Sequence, residues 1–244
     1  MGFLIECRTC GSQVSSTVKM CPNCGERSPE PYKDRLSAGA KKDNRPPLSE
    51  SMTIGAGGSP MDFPVLETER LRLRMPTRSD ASDLFRYFSL DEVTRYYDLD
   101  SFTEIRQAEE LIYTWSERYA HREGIRWGIV LKPSPGRVIG TCGYHNWAKA
   151  HRKAEIGFEL APEYWRRGLM TEALEAIVGY GFSRMALNRI EAYIDPDNFA
   201  SRRLLENAGF SEEGYLRDCF FEKGRFADAV LFALIRRDYV EVHP

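Results

Sequence analysis

The chain of 244 residues is 42% hydrophobic and 29% charged and carries a formal net charge of −2. This is globular composition for one or two domains, without the global positive field on which non-specific nucleic-acid binding depends. No apolar run approaches the roughly 18–20 residues that span a bilayer. Met1 to Ile5 is too short for a signal-peptide core before Glu6 interrupts it, so the cytoplasm is the expected compartment.

Four of the six cysteines fall in the first 24 residues, as Cys7-Arg8-Thr9-Cys10-Gly11 and Cys21-Pro22-Asn23-Cys24-Gly25. Zinc takes four thiolates in a tetrahedron, and each C-x-x-C turn supplies two. A segment this short cannot build a core, so the metal would supply the folding energy. The rival reading is a redox C-x-x-C, but the motif is doubled and no βαβ unit surrounds it. Cys7, Cys10, Cys21 and Cys24 are therefore the expected ligands of one structural Zn2+ in residues 1–28, with no open position for catalysis. The motif resembles the zinc-ribbon modules that head many bacterial proteins. Residues 29–61 hold Pro31, Pro46, Pro47 and Gly55-Ala56-Gly57-Gly58 and few large apolar residues, the composition of a flexible linker.

From residue 62 the pattern alternates between strand and helix periods. Leu71-Arg72-Leu73-Arg74 reads as a half-buried strand. Ser79 and Asp80 offer a helix start ahead of Leu84, Phe85 and Phe88. A second helix carries Ile105, Ala108, Leu111, Ile112, Trp115 and Tyr119 at spacings of three and four. Strands are expected at 127–131, 137–144 and 154–160, with a turn at Pro133-Ser134-Pro135-Gly136. A long apolar-faced helix runs from 168 to 184, a strand covers 190–194, and Asp195-Pro196-Asp197-Asn198 turns into a short helix ended by Gly209. Two last strands cover 211–216 and 229–235. The fold class is α+β.

The stretch from Ala154 through Leu160 to Arg166-Arg167-Gly168-Leu169-Met170-Thr171 is a strand, a basic glycine-containing loop and a helix start. Unpaired N–H groups and the partial positive charge of a helix N-terminus suit an anion such as pyrophosphate. On the residues alone, a solvated basic helix start fits equally well. The loop resembles the coenzyme A motif Q/R-x-x-G-x-G/A of the GNAT superfamily. The wording around it is similar to the branch of the RimJ/RimL-type ribosomal-protein N-acetyltransferases. Asn198-Phe199-Ala200-Ser201 through Leu205-Glu206 to Gly209-Phe210 resembles that branch's N-x-x-S-x-x-x-L-E-x-x-G-F, and Leu66-Glu67-Thr68-Glu69-Arg70-Leu71-Arg72-Leu73-Arg74 its first strand. Trp165 stands where the general motif has glutamine or arginine, and Met170 replaces a small residue and would narrow the loop.

The resemblance implies a GNAT domain over 62–244, with a mixed, mostly antiparallel sheet flanked by helices, and acetyl-CoA as co-substrate. It implies that the strand Glu155–Leu160 splays from its neighbour, so that Phe158, Glu159 and Leu160 pair with the pantetheine arm. The Leu160 N–H would polarise the thioester carbonyl. Arg166, Arg167, Gly168, Leu169, Met170 and Thr171 would hold the pyrophosphate, and Asn198 and Ser201 would lie near the sulfur, with Ser201 protonating the thiolate. Glu155 is the expected base, directly or through water. His145 and His151 flank a loop, where they line the substrate cleft or, as the more ordinary reading, sit on the loop surface, and Cys142 and Cys219 read as half-buried strand residues. Tyr144 and Trp147 shape the acceptor pocket or simply pack.

The expected reaction is acetyl transfer to a primary amine, either a protein N-terminus or a small molecule. The competing reading is a catalytically silent acyl-CoA-binding adaptor acting through the zinc ribbon. A ribbon contact with ribosomal RNA or protein is a further idea, for which Arg8, Lys19 and Arg27 offer little charge. Acceptor choice is expected in loops at 89–103 and 145–153, where Asp91, Glu92, Asp98 and Asp100 either form an acidic wall suited to a cationic amine or, as the more ordinary reading, a solvated acidic loop.

Overall fold

The structure, a computed structural model, describes the backbone of residues 4–6 and 13–15 and the residues 63–242. Cys7, Cys10, Cys21, Cys24 and the 29–61 segment lie outside the described residues. The chain divides into two compact units, Met1–Thr53 and Ile54–Pro244. In the first, β1 (Leu4–Glu6) pairs antiparallel with β2 (Gln13–Ser15).

The second unit is one eight-stranded sheet with helices on both faces. Its strands are β3 (Leu66–Glu67), β4 (Leu71–Arg74), β5 (Ile125–Leu131), β6 (Ser134–Ala148), β7 (Lys153–Leu160), β8 (Arg189–Ile194), β9 (Ser211–Glu222) and β10 (Arg225–Ile235). They lie in the order β3-β4-β5-β6-β7-β8-β10-β9. Each neighbouring pair is antiparallel except β7 and β8, which are parallel. The helices are α1 (Ala81–Phe88), α2 (Asp91–Thr94), α3 (Ile105–Ala120), α4 (Leu169–Ser183), α5 (Phe199–Asn207) and α6 (Arg236–Val242).

Side-chain alternation splits the sheet between two cores. Ile129, Ile139, Ile156 and Leu160 pack with Leu174, Ile177 and Phe182 of α4. Val130 and Val138 pack with Leu84 and Phe88 of α1 and Ala108, Ile112 and Trp115 of α3. The start of α1 is fixed by Asp80, which is buried yet accepts from Arg74 Nη2 (2.6 Å) and Nη1 (2.7 Å) and from the Thr77 N–H at 2.7 Å.

Several expected boundaries move. The turn expected at 133–136 sits at residues 132 and 133, and β6 begins at Ser134. The last two strands run far past 216 and begin well before 229, forming one long hairpin around Lys223 and Gly224. The partly exposed segments 217–222 and 225–228 mix polar and apolar residues without a clean alternation, and cross-strand pairing supplies the order that periodicity could not show.

Candidate active site

β7 and β8 are paired over only three residues, from Lys153↔Arg189 to Glu155↔Glu191. Beyond Glu155 the two strands diverge. The Ala161 N–H reaches the Ile139 carbonyl of β6 at 2.8 Å, and the Arg152 carbonyl, on the β8 side, accepts from the Asn188 N–H at 2.6 Å. Backbone alternation then aims the N–H and C=O groups of Ile156, Phe158 and Leu160 away from β6, into the widening gap. The Leu160 carbonyl in that gap accepts the Trp165 indole N–H at 2.6 Å. Trp165, at the position where the motif departs from the general pattern, thus holds the end of the splayed strand. A row of unpaired strand groups is a template for an extended ligand.

The loop that closes this gap turns through two left-handed residues, Arg166 at φ 59° and Gly168 at φ 70°. Gly168 is the N-cap of α4, and its conformation is one that a Cβ disfavours. The first N–H groups of α4 have no partner within the helix and open beside Arg166 and Arg167. A clamp outside the loop sets its position. Glu172, in the first turn of α4, accepts from Thr68 Oγ1 (2.5 Å), the Arg70 N–H (2.7 Å) and Arg70 Nε (2.6 Å). Arg70 Nη1 donates to the Arg167 carbonyl at 2.9 Å. Burial works against the Glu172 carboxylate, but the bonds from Thr68 and Arg70 outweigh it and hold its pKa below the ordinary value. This explains the Thr68-x-Arg70 pattern ahead of β4, which sequence reasoning used only as a signature. Met170 is 8% exposed and packs into the α4 core while still lining the cavity.

One cavity of about 1640 Å³ is lined by every site residue expected in this unit: Glu155, Phe158, Glu159, Leu160, Arg166, Arg167, Gly168, Leu169, Met170, Thr171, Asn198 and Ser201. It exceeds the roughly 300–1,000 Å³ usual for small-ligand pockets, as a long ligand with a second substrate requires. Asn198 is the N-cap of α5, and its Oδ1 accepts from the Ser201 N–H at 3.1 Å. That bond fixes the first turn of α5 and places Ser201 on the cavity wall.

On the face toward α1 and α3, β7 presents Glu155, Gly157 and Glu159. Glu159 is buried with Arg126, which lies 5.2 Å from the Trp115 ring centroid. Arg126 Nη2 donates to Glu159 Oε2 and, at 3.1 Å, to the Tyr97 hydroxyl, while its Nε reaches Thr141 Oγ1 at 2.6 Å. Thr141 Oγ1, Tyr87 OH (3.4 Å) and Tyr97 OH (3.3 Å) also donate to Glu159. Both carboxylate oxygens are thus doubly engaged. Burial pushes Glu159 above the ordinary carboxylate range, and Arg126 offsets this only in part.

Glu155 is in a different setting. His145 Nε2 lies 3.3 Å from its Oε2, and its side chain is 23% exposed. Burial raises its pKa, but hydrogen bonds from His145 and Asn146 prevail and hold it below the ordinary value. His145 is not a loop residue: it lies in β6 opposite Glu155. The register slips between His145 and Ala148, and Asn146 takes a left-handed φ of 49°, the bulge geometry that re-aims side chains beside active sites. The segment 145–153 is accordingly the end of β6, a 3-10 turn at Lys149–His151 and the start of β7, and His151 is exposed in that turn. Sequence reasoning missed Asn146, Arg126, Thr141, Tyr87 and Tyr97. Pairing across strands and from helix to sheet brings them in, and no local motif marks them.

Cys142 is fully buried, not half-buried, and burial pushes its thiol up to about 12, an inert value. Tyr144 is buried with its hydroxyl donating to the Ile177 carbonyl at 2.8 Å, so it packs α4 onto the sheet. Glu92 and Asp98 of the expected acidic wall line the cavity, together with Arg95, Tyr96 and Tyr97. Among the described residues no group of three His, Cys, Asp or Glu could hold a metal, and no helix is long and apolar enough to cross a membrane.

Residues 70–211 match the acetyltransferase (GNAT) domain family. The uncharacterized N-acetyltransferase YoaA of Bacillus subtilis (strain 168) is 45% identical over 174 residues, which cover 71% of this chain and 98% of that protein. The fold matches the crystal structure of spermidine N-acetyltransferase from Vibrio cholerae in complex with CoA and spermine, with TM-score 0.62, 22% identity, and coverage of 71% of this chain and 99% of that one. It also matches RimL, a ribosomal L7/L12 alpha-N-protein acetyltransferase in complex with coenzyme A, with TM-score 0.64, 17% identity, and coverage of 70% and 98%. The chain belongs to the GNAT acetyltransferase family and is an N-acetyltransferase.

Proposed function

We infer that the chain moves the acetyl group of acetyl-CoA to a cationic primary amine by direct attack within a ternary complex. The observation that carries this is the β7–β8 divergence beyond Glu155, opening on the same cavity as the left-handed Gly168 loop. In this reading Phe158 and Leu160 pair with the pantetheine arm through their backbone, while Glu159 between them turns its backbone groups to β6. The N–H groups of residues 166–171 take the pyrophosphate, aided by the charges of Arg166 and Arg167. The Leu160 N–H polarises the thioester carbonyl. Asn198 orders the turn that presents Ser201 as proton donor to the thiolate, and Glu155 draws the proton from the amine through an intervening group.

The acceptor end of the cavity favours a cation. Glu92, Asp98, Asp195, Glu222 and Asp228 line the cavity, with Arg95, Lys223 and Arg225 also on its wall. Burial raises the Glu222 pKa, and the Asp98 and Asp195 charges add to this against the opposing charge of Lys223, so a bound ammonium would further offset the repulsion among the acids. The spermine-bound relative supports a polyamine, and RimL supports a protein N-terminus. Purified protein with acetyl-CoA should add about 42 Da to one member of a panel holding spermidine, spermine and peptides with N-terminal alanine or serine. Binding of acetyl-CoA without transfer to any panel amine would return the silent-adaptor reading.

The N-terminal segment is read as a separate zinc ribbon over 1–28, with Cys7, Cys10, Cys21 and Cys24 on one Zn2+, joined by a 29–61 linker. The doubled C-x-x-C supports it. A ribbon of this kind would contact a protein or ribosomal partner rather than the reaction. Clustered thiols kept reduced, and a reaction that consumes acetyl-CoA, both suit the cytoplasm.

A further inference from the structure

Glu155 stands five residues before Leu160. At about 3.3 Å per strand residue, their Cα atoms lie roughly 16 Å apart, too far for the Glu155 carboxylate to reach an amine attacking a carbonyl held at the Leu160 N–H. His145 shortens that gap. Its Nε2 is 3.3 Å from Glu155 Oε2. Its other edge leans the opposite way: a Cβ built on Gly157 would lie 3.4 Å from His145 Cε1 and 3.7 Å from Nδ1. The imidazole therefore runs from Glu155 toward Gly157, about 10 Å from Leu160 along the strand, and it lines the cavity. The missing side chain at Gly157 leaves room for this ring.

Only one carboxylate on this face can hold such a ring. Glu159 has both oxygens engaged by Arg126, Thr141, Tyr87 and Tyr97. Glu155 is tied to His145 and Asn146 and held ionised. An imidazole that donates Nε2–H to a fixed carboxylate keeps Nδ1 as a bare acceptor, and the carboxylate stabilises the imidazolium that forms.

We propose that His145 Nδ1 is the proton acceptor of the transferase and that Glu155 is its positioning residue. This deepens the acetyltransferase reading and rests on it. The acceptor ammonium loses one proton through water to Nδ1, and the ring returns it to solvent. The neutral nitrogen bonds to the acetyl carbon, the C–S bond breaks with its electron pair on sulfur, and the proton shed by the new amide nitrogen ends on the thiolate. Facing the pair are Arg126 of β5, Glu191 and Tyr193 of β8, Cys219 of β9, and Lys153 on Glu155's own strand.

The test uses the full chain. His145→Gln keeps an amide donor near the position of Nε2 and removes the titrating nitrogen. At neutral pH its kcat with a panel amine should fall about 10²-fold or more, with acetyl-CoA affinity unchanged. The low-pH limb of the kcat profile should vanish with it. Glu155→Gln should keep that limb, because the accepting nitrogen is still present, and its kcat should fall less, because only the ring's orientation is loosened. A second measurement needs no acceptor. The ¹⁵N signals of His145, assigned by their loss in His145→Gln, should show the Nε2–H tautomer in the wild type, and Glu155→Gln should weaken that preference. His145→Gln with wild-type kcat and an intact limb overturns the proposal. So does a limb that vanishes in Glu155→Gln alone, or an Nδ1–H tautomer in the wild type. If wild-type protein acetylates no panel amine, the acceptor reading fails, and the tautomer measurement still decides the pair.

Discussion

Removing Arg126 should leave one of the least tolerable charges in the molecule. Arg126 and Glu159 are 8% and 4% exposed at the side chain, so solvent screens neither. Arg126→Met keeps the stem that packs near Trp115 and strands the carboxylate, for which the expected cost is about 3–5 kcal/mol. Tyr97, Tyr87 and Thr141 still donate to Glu159, which places the loss toward the lower end. In a domain of this size each kcal/mol moves Tm by about 2–4 °C, so a drop of roughly 6–12 °C is expected at pH 7. Adding Glu159→Gln to Arg126→Met removes the stranded charge and should recover much of it, giving a coupling of about 2 kcal/mol in a double-mutant cycle. Acidity should help the single variant. Glu159 titrates above its ordinary value when folded, so the native state binds the extra proton. Stability from this group is present at low pH and declines as pH rises through the raised value. Loss of Arg126 widens that window, and its deficit should shrink between pH 7 and 5. Urea melts of the four proteins at both pH values measure this. Single losses that add to within about 0.5 kcal/mol, or a deficit that grows on acidification, would refute a buried ion pair at this site.

Three other predictions concern the loop and the N-terminal segment. Glu172→Ala unties Thr68 and both bonds from Arg70, and calorimetry should show acetyl-CoA binding weakened about tenfold, the equivalent of about 1.4 kcal/mol; unchanged affinity would mean the loop holds its shape without the clamp. Gly168→Ala meets only an ordinary van der Waals contact, the new Cβ lying 3.5 Å from Arg70 Nη2, so its penalty is the left-handed backbone, about 1–2 kcal/mol, seen as lost stability or lost coenzyme affinity; wild-type values for both would show that φ at 168 does not matter. Purified protein should carry one zinc per chain, lost in Cys7→Ser/Cys10→Ser, while a chain lacking residues 1–61 should still melt cooperatively and bind acetyl-CoA; a metal-free wild type, or an aggregated truncation, would undo the ribbon and the linker in turn.

Local chemistry was enough to read much of this protein from its sequence. The apolar stripes of α3 and α4, the alternation of β4, the Gly168 loop and the Asn198 turn depend on neighbours within a few residues, and all appear where the periods and turn residues put them. The expected phosphate loop, splayed strand and Ser201 could be named because each lies within one contiguous motif. What the tertiary structure alone decided is which distant residues serve those motifs. Thr68 and Arg70 reach Glu172 across about a hundred residues of chain, and Arg126 reaches Glu159 across the glycines of β6 and β7. His145 read as loop because a bulge at Asn146 breaks the alternation of β6 just where the strand enters the cavity. Strand register sets such partnerships: a residue's cross-strand neighbour depends on pairing summed over the whole sheet, and no short stretch of sequence encodes it.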